Sequence, residues 1–323
     1  MKDNSPIAVT SRSFSVHPVL RAELLERYSD VRFNDQGLKL AGERLVEFAR
    51  GRKKLITGLE TLDESILASL PELEVVSKYG VGTDMIDMAA MARHGVRLGW
   101  TGGVNRRSVA ELVIAFMISL LRLVPLVGRE VHEGIWKNRI GRQMSGRTVG
   151  IIGCGHIGKD LTPLLRAFGC RVLAHDLLDF PQFYAAHQVE PVGLEEILRR
   201  ADIVTLHVPL DDSTRGMLSA DRLALMKPDA LLINAARGGL VDEDALKAML
   251  KDGRLAGAAF DVFAIEPPQD LELLRLSNFL GTPHIGGSSE EAVLAMGRAA
   301  IEGLDKNAVP EPGGPLAVCA DGR

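Results

Sequence analysis

Three side chains with complementary chemistry stand in the last third of the chain: Arg237, Glu266 and His284. An imidazole titrates near neutral pH, so His284 could exchange a proton with an oxygen of a bound molecule. A carboxylate beside it would stabilise the protonated ring, and an arginine could pair with a carboxylate and polarise a carbonyl. Taken singly, they could equally be a surface charge, a helix N-terminal charge and a loop ring. Together they suit proton transfer that accompanies hydride transfer at a carbon bearing oxygen.

Short β-branched runs alternate with helical patterns along the chain, and these elements must position the three side chains. Arg237 follows the apolar run at 230–234, and Glu266 follows the run at 257–261. The other predicted strands are 7–10, 54–57, 73–77, 95–98, 148–152, 171–174 and 203–207, and the predicted helices of the first part are 18–28, 66–70 and 87–94. Alternation of this kind predicts an α/β fold with parallel sheets. The later runs are almost entirely apolar, as expected of strands buried on both faces. Ligands of such sheets bind at the carboxyl ends of the strands, where all three side chains are expected.

A glycine-rich loop, GCGHIG, follows the clearest predicted strand and opens a helical pattern. This strand–loop–helix context makes the spacing of Gly153, Gly155 and Gly158 specific for a dinucleotide. The first glycine permits a tight turn, the second lets the backbone approach a pyrophosphate, and the third lets the helix pack close to the strand. The N–H groups at the helix N-terminus favour phosphate. The alternative is a glycine-rich turn with no ligand.

An acidic residue at the end of the following strand, Asp176, completes the dinucleotide fingerprint. Its carboxylate can accept hydrogen bonds from both ribose hydroxyls and would repel a 2′-phosphate. No arginine follows within Leu177, Leu178 and Asp179 to hold such a phosphate. The sequence therefore favours NAD over NADP.

The position of this fingerprint in the middle of the chain predicts a discontinuous domain. The helical stretch 290–306 is expected to return to the N-terminal half, so residues 1–103 plus 287–323 would form a substrate domain and 104–286 an NAD-binding Rossmann domain. Crossovers near 103 and 286 would form a hinge, and the cleft between the domains would be the natural ligand site. The tail 310–323 is expected to be a loop.

Composition excludes several other classes of protein. The net charge of -4 provides no basic surface for nucleic acid. The cysteines Cys154, Cys170 and Cys319 are too few and too irregularly spaced for a zinc site or a disulfide framework, which fits a cytoplasmic protein. The start of the chain lacks the apolar region of a signal peptide. The apolar stretch 109–128 has the length of a membrane span, but it contains charged residues and a proline, so we interpret it as a domain or subunit interface.

Seven stretches resemble the D-isomer-specific 2-hydroxyacid dehydrogenases, over nearly the whole chain. They are SKYGVGTDMID (77–87), GGVNRRSVAEL (102–112), TVGIIGCGHIGK (148–159), LHVPLDDSTRGML (206–218), LINAARGGLVDEDAL (232–246), AFDVFAIEPP (259–268) and TPHIGG (282–287). Within the family the chain looks most like the short phosphoglycerate-dehydrogenase-like branch, without the C-terminal regulatory domain of longer relatives. The resemblance implies two Rossmann-like or flavodoxin-like domains and an NAD-dependent interconversion of a 2-keto acid and a D-2-hydroxy acid.

The resemblance also implies a role for each residue of the site. His284 would be the acid/base, Glu266 its partner and Arg237 the ligand of the substrate carboxylate. Asp261 would contact the nicotinamide carboxamide. The expected cofactor contacts are Gly153, Gly155, His156, Ile157, Gly158, Asp176, His207, Val208, Pro209, Thr214, Ala235, Ala236 and Asp261. The expected substrate contacts are Lys78, Tyr79, Val81, Gly82, Arg237 and His284. A homodimer would form through the 104–150 region.

The identity of the substrate stays open at this stage. Lys78 stands where many relatives that bind phosphorylated substrates have arginine, and lysine holds an anion without bidentate geometry. The substrate side chain would be recognised by loops of the first domain, with Ser13, Phe14, Lys78 and Tyr79 as candidates. Two alternatives keep the fold: oxidation of phosphite, and an NADH-sensing protein similar to transcriptional corepressors.

Overall fold

The computed structural model describes residues 2–311, which divide into two compact units. The terminal unit contains the residues up to Asn105 and those from Glu290 onward, and the central unit is Arg106–Ser289. The domain boundaries expected at 103 and 286 stay a prediction. Most of the expected C-terminal loop, with Cys319, lies outside the described residues.

The described chain forms twelve strands and fourteen helices. The strands are β1 (Ile7–Val9), β2 (Val31–Phe33), β3 (Lys54–Thr57), β4 (Val75–Lys78), β5 (Arg97–Gly99), β6 (Thr148–Ile152), β7 (Arg171–His175), β8 (Val189–Pro191), β9 (Ile203–Leu206), β10 (Leu231–Asn234), β11 (Gly257–Phe260) and β12 (Phe279–Gly281). The helices are α1 (Arg12–Val16), α2 (Pro18–Arg27), α3 (Glu43–Ala49), α4 (Glu64–Ala68), α5 (Met88–Arg93), α6 (Arg106–Leu121), α7 (Val124–His132), α8 (His156–Ala167), α9 (Pro181–His187), α10 (Leu194–Arg200), α11 (Ala220–Leu223), α12 (Glu243–Lys251), α13 (Leu271–Arg275) and α14 (Glu290–Gly303).

The terminal unit is built on a five-stranded parallel sheet in the order β2-β1-β3-β4-β5. Its inner strands are short and almost fully buried on both faces, which requires helices on each side. As expected from the sequence, α14 returns to this unit and packs against β4 and α2. Ser77 on β4 fixes the helix by donating its hydroxyl to the carbonyl of Ala300 at 2.6 Å.

The central unit is built on a seven-stranded parallel sheet in the order β12-β11-β10-β9-β6-β7-β8. The chain leaves β6 in one direction, through β7 and β8, and resumes at β9 on the other side of β6. The carboxyl ends of β6 and β9 therefore form the switch point at which α/β sheets of this kind bind ligands. These two parallel sheets confirm the predicted α/β fold class.

The apolar stretch 109–128 is divided between two helices, α6 and α7, because Leu123 adopts a left-handed conformation with φ of 59°. The side chains of Val113, Phe116 and Met117 on α6 are buried in the core of the central unit itself. The expectation that the stretch is a domain or subunit interface stays a prediction: part of α6 is covered by the core of its own unit, whereas α7 has no buried residue. Among the described residues, no single helix is long and apolar enough to cross a membrane; α6 and α7 reach that length and composition only together, with a bend of 65°.

Candidate active site

The glycine loop after β6 has close backbone contacts at its first and third glycines and open space at its second. Gly153 has φ of 95°, and a Cβ added to it would lie 2.6 Å from the carbonyl carbon of His207. A Cβ on Gly158 would lie 2.5 Å from the carbonyl oxygen of Gly153, so α8 packs directly on the turn. By contrast, a Cβ on Gly155 would meet no atom of the structure within 4 Å. The backbone at Gly155 thus stays open to a phosphate at the start of α8.

The carboxylate of Asp176 lies at the end of β7, next to the glycine loop. One oxygen accepts the N–H of Cys154 at 2.6 Å and the other accepts the N–H of Leu178 at 2.9 Å. Each carboxylate oxygen has a second lone pair, so the group retains capacity to accept from the hydroxyls of a ribose. The exposed side chains of Leu177 and Leu178 follow it. The residues of the loop and of β7 therefore fit the nucleoside end of NAD.

The loop after β9 carries His207, Val208, Pro209 and Thr214. Burial lowers the pKa of His207 to about 3, so this ring is neutral at physiological pH. Its Nε2 lies 3.0 Å from the hydroxyl of Thr205, and its Nδ1 is buried without a partner among the described residues. The hydroxyl of Thr214 donates to the carbonyl of Pro209 at 2.8 Å and closes the loop. An unpaired, buried ring nitrogen at the switch point suits a polar ligand.

His284 and Glu266 lie together at the carboxyl ends of the strands of the same sheet, where Glu266 follows β11 and His284 follows β12. The Nδ1 of His284 lies 2.9 Å from Oε2 of Glu266, while the other oxygen of Glu266 accepts the N–H of Phe263 at 3.1 Å. The carboxylate therefore fixes the imidazole through Nδ1 and leaves Nε2 as the nitrogen that can carry a transferable proton. The two side chains are 49% and 38% exposed, so a substrate can reach them.

The carboxylate of Asp261 holds the loop on which His284 is carried. Asp261 is 1% exposed, and it accepts three hydrogen bonds: from the hydroxyl of Thr282 at 2.6 Å, and from the N–H groups of Ile285 and Gly286, both at 2.7 Å. The N–H of His284 donates to the carbonyl of Asp261 at 2.9 Å, and His284 has φ of 55°. A non-glycine residue keeps such a conformation only where its surroundings enforce it. This clamp was not expected from the sequence; the contact of Asp261 with the nicotinamide stays a prediction.

Arg237 lies in a turn that Asn234 builds at the end of β10. The side chain of Asn234 accepts the N–H of Ala236 at 3.1 Å and donates to the carbonyl of Arg237 at 2.8 Å. The Nη1 of Arg237 donates to the carbonyl of Ala236 at 2.7 Å, and the side chain is half-buried. Ala235 and Ala236 are buried, small residues on this edge. The turn thus presents the guanidinium at the carboxyl end of the sheet, as expected.

The expected substrate residues of the terminal unit lie at the carboxyl end of its own sheet. The ammonium of Lys78 is buried and donates to the carbonyls of Gly58 and Tyr79. The Tyr79 ring packs edge-on against Phe14, with centroids 5.5 Å apart. The carbonyl of Val81 accepts the indole N–H of Trp100 at 2.9 Å, and Gly82 follows in the same half-buried loop. Their roles toward a substrate stay predictions.

The comparison with protein families agrees with this geometry. Residues 114–286 match the NAD-binding domain of the D-isomer specific 2-hydroxyacid dehydrogenases. This chain belongs to that family.

Individual relatives cover different parts of the chain. The D-3-phosphoglycerate dehydrogenase of Methanocaldococcus jannaschii is 36% identical over 271 residues, which are 83% of this chain and 52% of that protein. The chain spans about half the length of the curated relatives it first matches. Among solved structures, the TT0316 protein of Thermus thermophilus has a TM-score of 0.83 at 32% identity, covering 93% of this chain and 95% of its own. A D-2-hydroxyisocaproate dehydrogenase has a TM-score of 0.81 at 26% identity, covering 94% and 96%.

Proposed function

We propose that this protein is an NAD-dependent oxidoreductase that interconverts a 2-keto acid and the corresponding D-2-hydroxy acid. The observation that carries the proposal is the 2.9 Å pairing of His284 with Glu266 on the strand edge that also carries the glycine loop. A titratable proton donor is thereby held within a domain of a family that binds NAD. Hydride transfer to a carbonyl carbon requires such a donor because the carbonyl oxygen gains a proton.

Each residue of the central unit has a defined task in this reaction. When bound, NADH supplies the hydride. Nε2 of protonated His284 donates its proton to the keto oxygen, while Glu266 orients the ring through Nδ1. The guanidinium of Arg237 pairs with the substrate carboxylate and draws electron density from the carbonyl. In the direction of oxidation, neutral His284 accepts the proton of the hydroxyl.

The proposed binding of NAD rests on the geometry of the glycine loop after β6 and of Asp176 after β7. Gly155, His156, Ile157 and Gly158 present the N-terminus of α8 to the pyrophosphate. Asp176 accepts from the ribose hydroxyls and disfavours a 2′-phosphate. The remaining proposed contacts, toward the nicotinamide end, are His207, Val208, Pro209, Thr214, Ala235, Ala236 and Asp261.

The substrate class within this reaction is the finer part of the proposal. The N–H groups of Val81 and Gly82 are proposed to bind the substrate carboxylate, and Lys78 and Tyr79 to contact its side chain. A phosphate or phosphonate group is consistent with Lys78 and with the D-3-phosphoglycerate dehydrogenase relatives, but the ammonium already donates to two carbonyls. Because the Lys78 ammonium is used in these two hydrogen bonds, a substrate with a small side chain and no phosphate group also suits this loop.

A panel assay tests the proposal. The protein is incubated with NADH and 2-keto acids of increasing size and charge, and in the reverse direction with NAD and D-3-phosphoglycerate. We expect turnover of at least one acid, with NADH preferred over NADPH. Binding of NADH without turnover anywhere in the panel would instead favour the sensing function. NAD reduction by phosphite alone would favour the phosphite alternative.

We also propose that the protein is a cytoplasmic homodimer that associates through the 104–150 region. The support is the apolar surface at α7 and the segment after it, where Trp136 is 91% and Ile140 is 95% exposed. A surface of this kind suits contact with a second copy. The buried free thiols of Cys154 and Cys170 suit a reducing compartment. Light scattering should give twice the monomer mass, and replacing Trp136 and Ile140 with aspartate should give the monomer.

A further inference from the structure

The turn that carries Glu266 is supported by a second carboxylate, which belongs to a neighbouring helix. Glu243 is the first residue of α12, and its Oε1 accepts the N–H of Ala264 at 2.8 Å. Ala264 follows Phe263, whose N–H donates to Glu266 at 3.1 Å. Two carboxylates therefore accept hydrogen bonds from this short turn: Glu266, which belongs to the turn, and Glu243, which lies on the neighbouring helix.

This turn is also in close contact with the backbone that follows Arg237. A Cβ added to Gly238 would lie 1.9 Å from the carbonyl oxygen of Phe263 and 2.5 Å from the nitrogen of Ala264. The chain continues from Gly238 to Glu243 within five residues. The segment that presents Arg237 thus also supplies the carboxylate that holds the turn of Glu266.

Glu243 retains a carboxylate where charge is disfavoured. Burial raises its pKa, the hydrogen bond from Ala264 opposes that change, and the nearby charges of Asp244 and Asp270 add to the increase. A helix N-terminus tolerates an acidic residue in its first turn, but a solvent-facing carboxylate such as Asp244 already meets that preference. The hydrogen bond from Ala264 is therefore the feature that distinguishes Glu243 from Asp244.

We infer that Glu243 is a positioning residue for the proton-transfer pair: through the N–H of Ala264 it fixes the turn that orients Glu266 toward Nδ1 of His284. The inference rests on the proposed function, since it assigns Glu243 to the same reaction. Without this bond the 263–266 turn loses the hydrogen bond that Glu243 supplies from outside it, and we expect Glu266 to hold the ring less firmly in one orientation. Proton transfer is sensitive to displacements of this size.

Three variants separate this role from a general structural one. In Glu243→Ala, we expect kcat to fall about ten- to a hundredfold, with NADH binding unchanged and with an altered pH profile of kcat. Glu243→Gln should restore most of the activity, because an amide oxygen accepts the same N–H. Asp244→Ala, which removes a 92% exposed carboxylate from the same helical turn, should retain wild-type kcat. Equal kcat in Glu243→Ala and Glu243→Gln would overturn the inference, as would an equal loss in Asp244→Ala.

Two further measurements keep the inference testable if a variant is unstable or if the proposed function fails. In a Glu266→Gln background, Glu243→Ala should have little additional effect on kcat, because both changes remove the same arrangement; a fully multiplicative loss would contradict the coupling. Hydrogen exchange of the peptide that contains Ala264 needs no substrate. It should be faster in Glu243→Ala than in Glu243→Gln, and equal rates would overturn the positioning role even in a protein that reduces no 2-keto acid.

Discussion

The two halves of the ligand edge in the central unit are built by different means. Around Gly153, Gly155 and Gly158 the backbone itself forms the proposed cofactor site, and close contacts leave no room for a side chain at the first and third positions. Around His284 the backbone is held by side chains, because Asp261 and Glu266 accept hydrogen bonds from the loops that carry the reactive groups.

This difference predicts two kinds of failure. A change in the glycine half should disturb folding and cofactor binding, since the proposed cofactor site and the core share the same backbone. A change in the carboxylate half should disturb the chemical step while leaving the nucleotide half intact.

Replacing His284 with alanine should have the largest effect on the reaction. The variant loses the transferable proton, and general acid–base catalysis contributes about a hundred- to ten-thousandfold in rate. We expect kcat to fall by that factor while the affinity for NADH, measured by fluorescence titration, stays that of the wild type. Glu266→Gln should have a smaller effect, because the ring remains. If NADH affinity fell in parallel with kcat, the two halves would not be separable.

Replacing Asp261 with asparagine should have the next largest effect. An amide in place of the carboxylate must direct N–H groups at one of the three donors, and a donor left unpaired in a buried place costs about 1–3 kcal/mol. We expect kcat to fall about ten- to a hundredfold because His284 is displaced. Thr282→Val is the matched control, since it removes one donor and leaves the carboxylate. A loss of NADH affinity with unchanged kcat would instead support the nicotinamide contact expected from the sequence.

Two alanine substitutions in the glycine half should separate folding from binding. In Gly158→Ala the added methyl group meets the carbonyl of Gly153, and overpacking of this kind costs about 1–3 kcal/mol in the free energy of unfolding. In Gly155→Ala the methyl group has open space, so the fold should be retained while NADH binds more weakly. Thermal unfolding and NADH titration give both quantities. Comparable destabilisation by the two changes would contradict the assigned roles.

The effect expected to be smallest at neutral pH is a pH dependence of stability from His207. Its pKa is about 3 in the folded protein and near the ordinary value of 6.5 when unfolded, so the unfolded chain binds a proton first as the pH falls. Stability from this residue should be fully present above pH 6.5 and decline between pH 6.5 and about 3. Urea unfolding across this range should show a flatter pH dependence in His207→Gln than in the wild type. The same slope in both proteins would mean that the ring is not protected from protonation.

The sequence predicted those features that a local pattern of residue types determines, such as glycine spacing. It did not predict features that depend on contacts with residues far away in the chain. The glycine spacing and the long apolar runs predicted β6, the loop and the two parallel sheets. Strands β2, β8 and β12 were missed. Each has three residues and lies at the edge of a sheet, so none has a long enough apolar pattern to be recognised.

The same limit applies to the candidate site. His284, Glu266 and Arg237 could be proposed from their types and their positions after strands. Two carboxylates that hold the site accept hydrogen bonds from backbone N–H groups more than twenty residues away in the chain. Asp261 accepts from Ile285 and Gly286, and Glu243 accepts from Ala264. Every residue except proline offers an N–H group, so such bonds leave no compositional trace in the sequence.

The most direct test of the central claim follows the hydride itself. The wild-type protein is supplied with NADH carrying deuterium at the transferable C4 position and with the best 2-keto acid of the panel, and the product is analysed by mass spectrometry and chiral chromatography. We expect one deuterium at C2 of the D-2-hydroxy acid for each NADH consumed. An unlabelled product, an L product, or NADH that binds and is never consumed would contradict that claim.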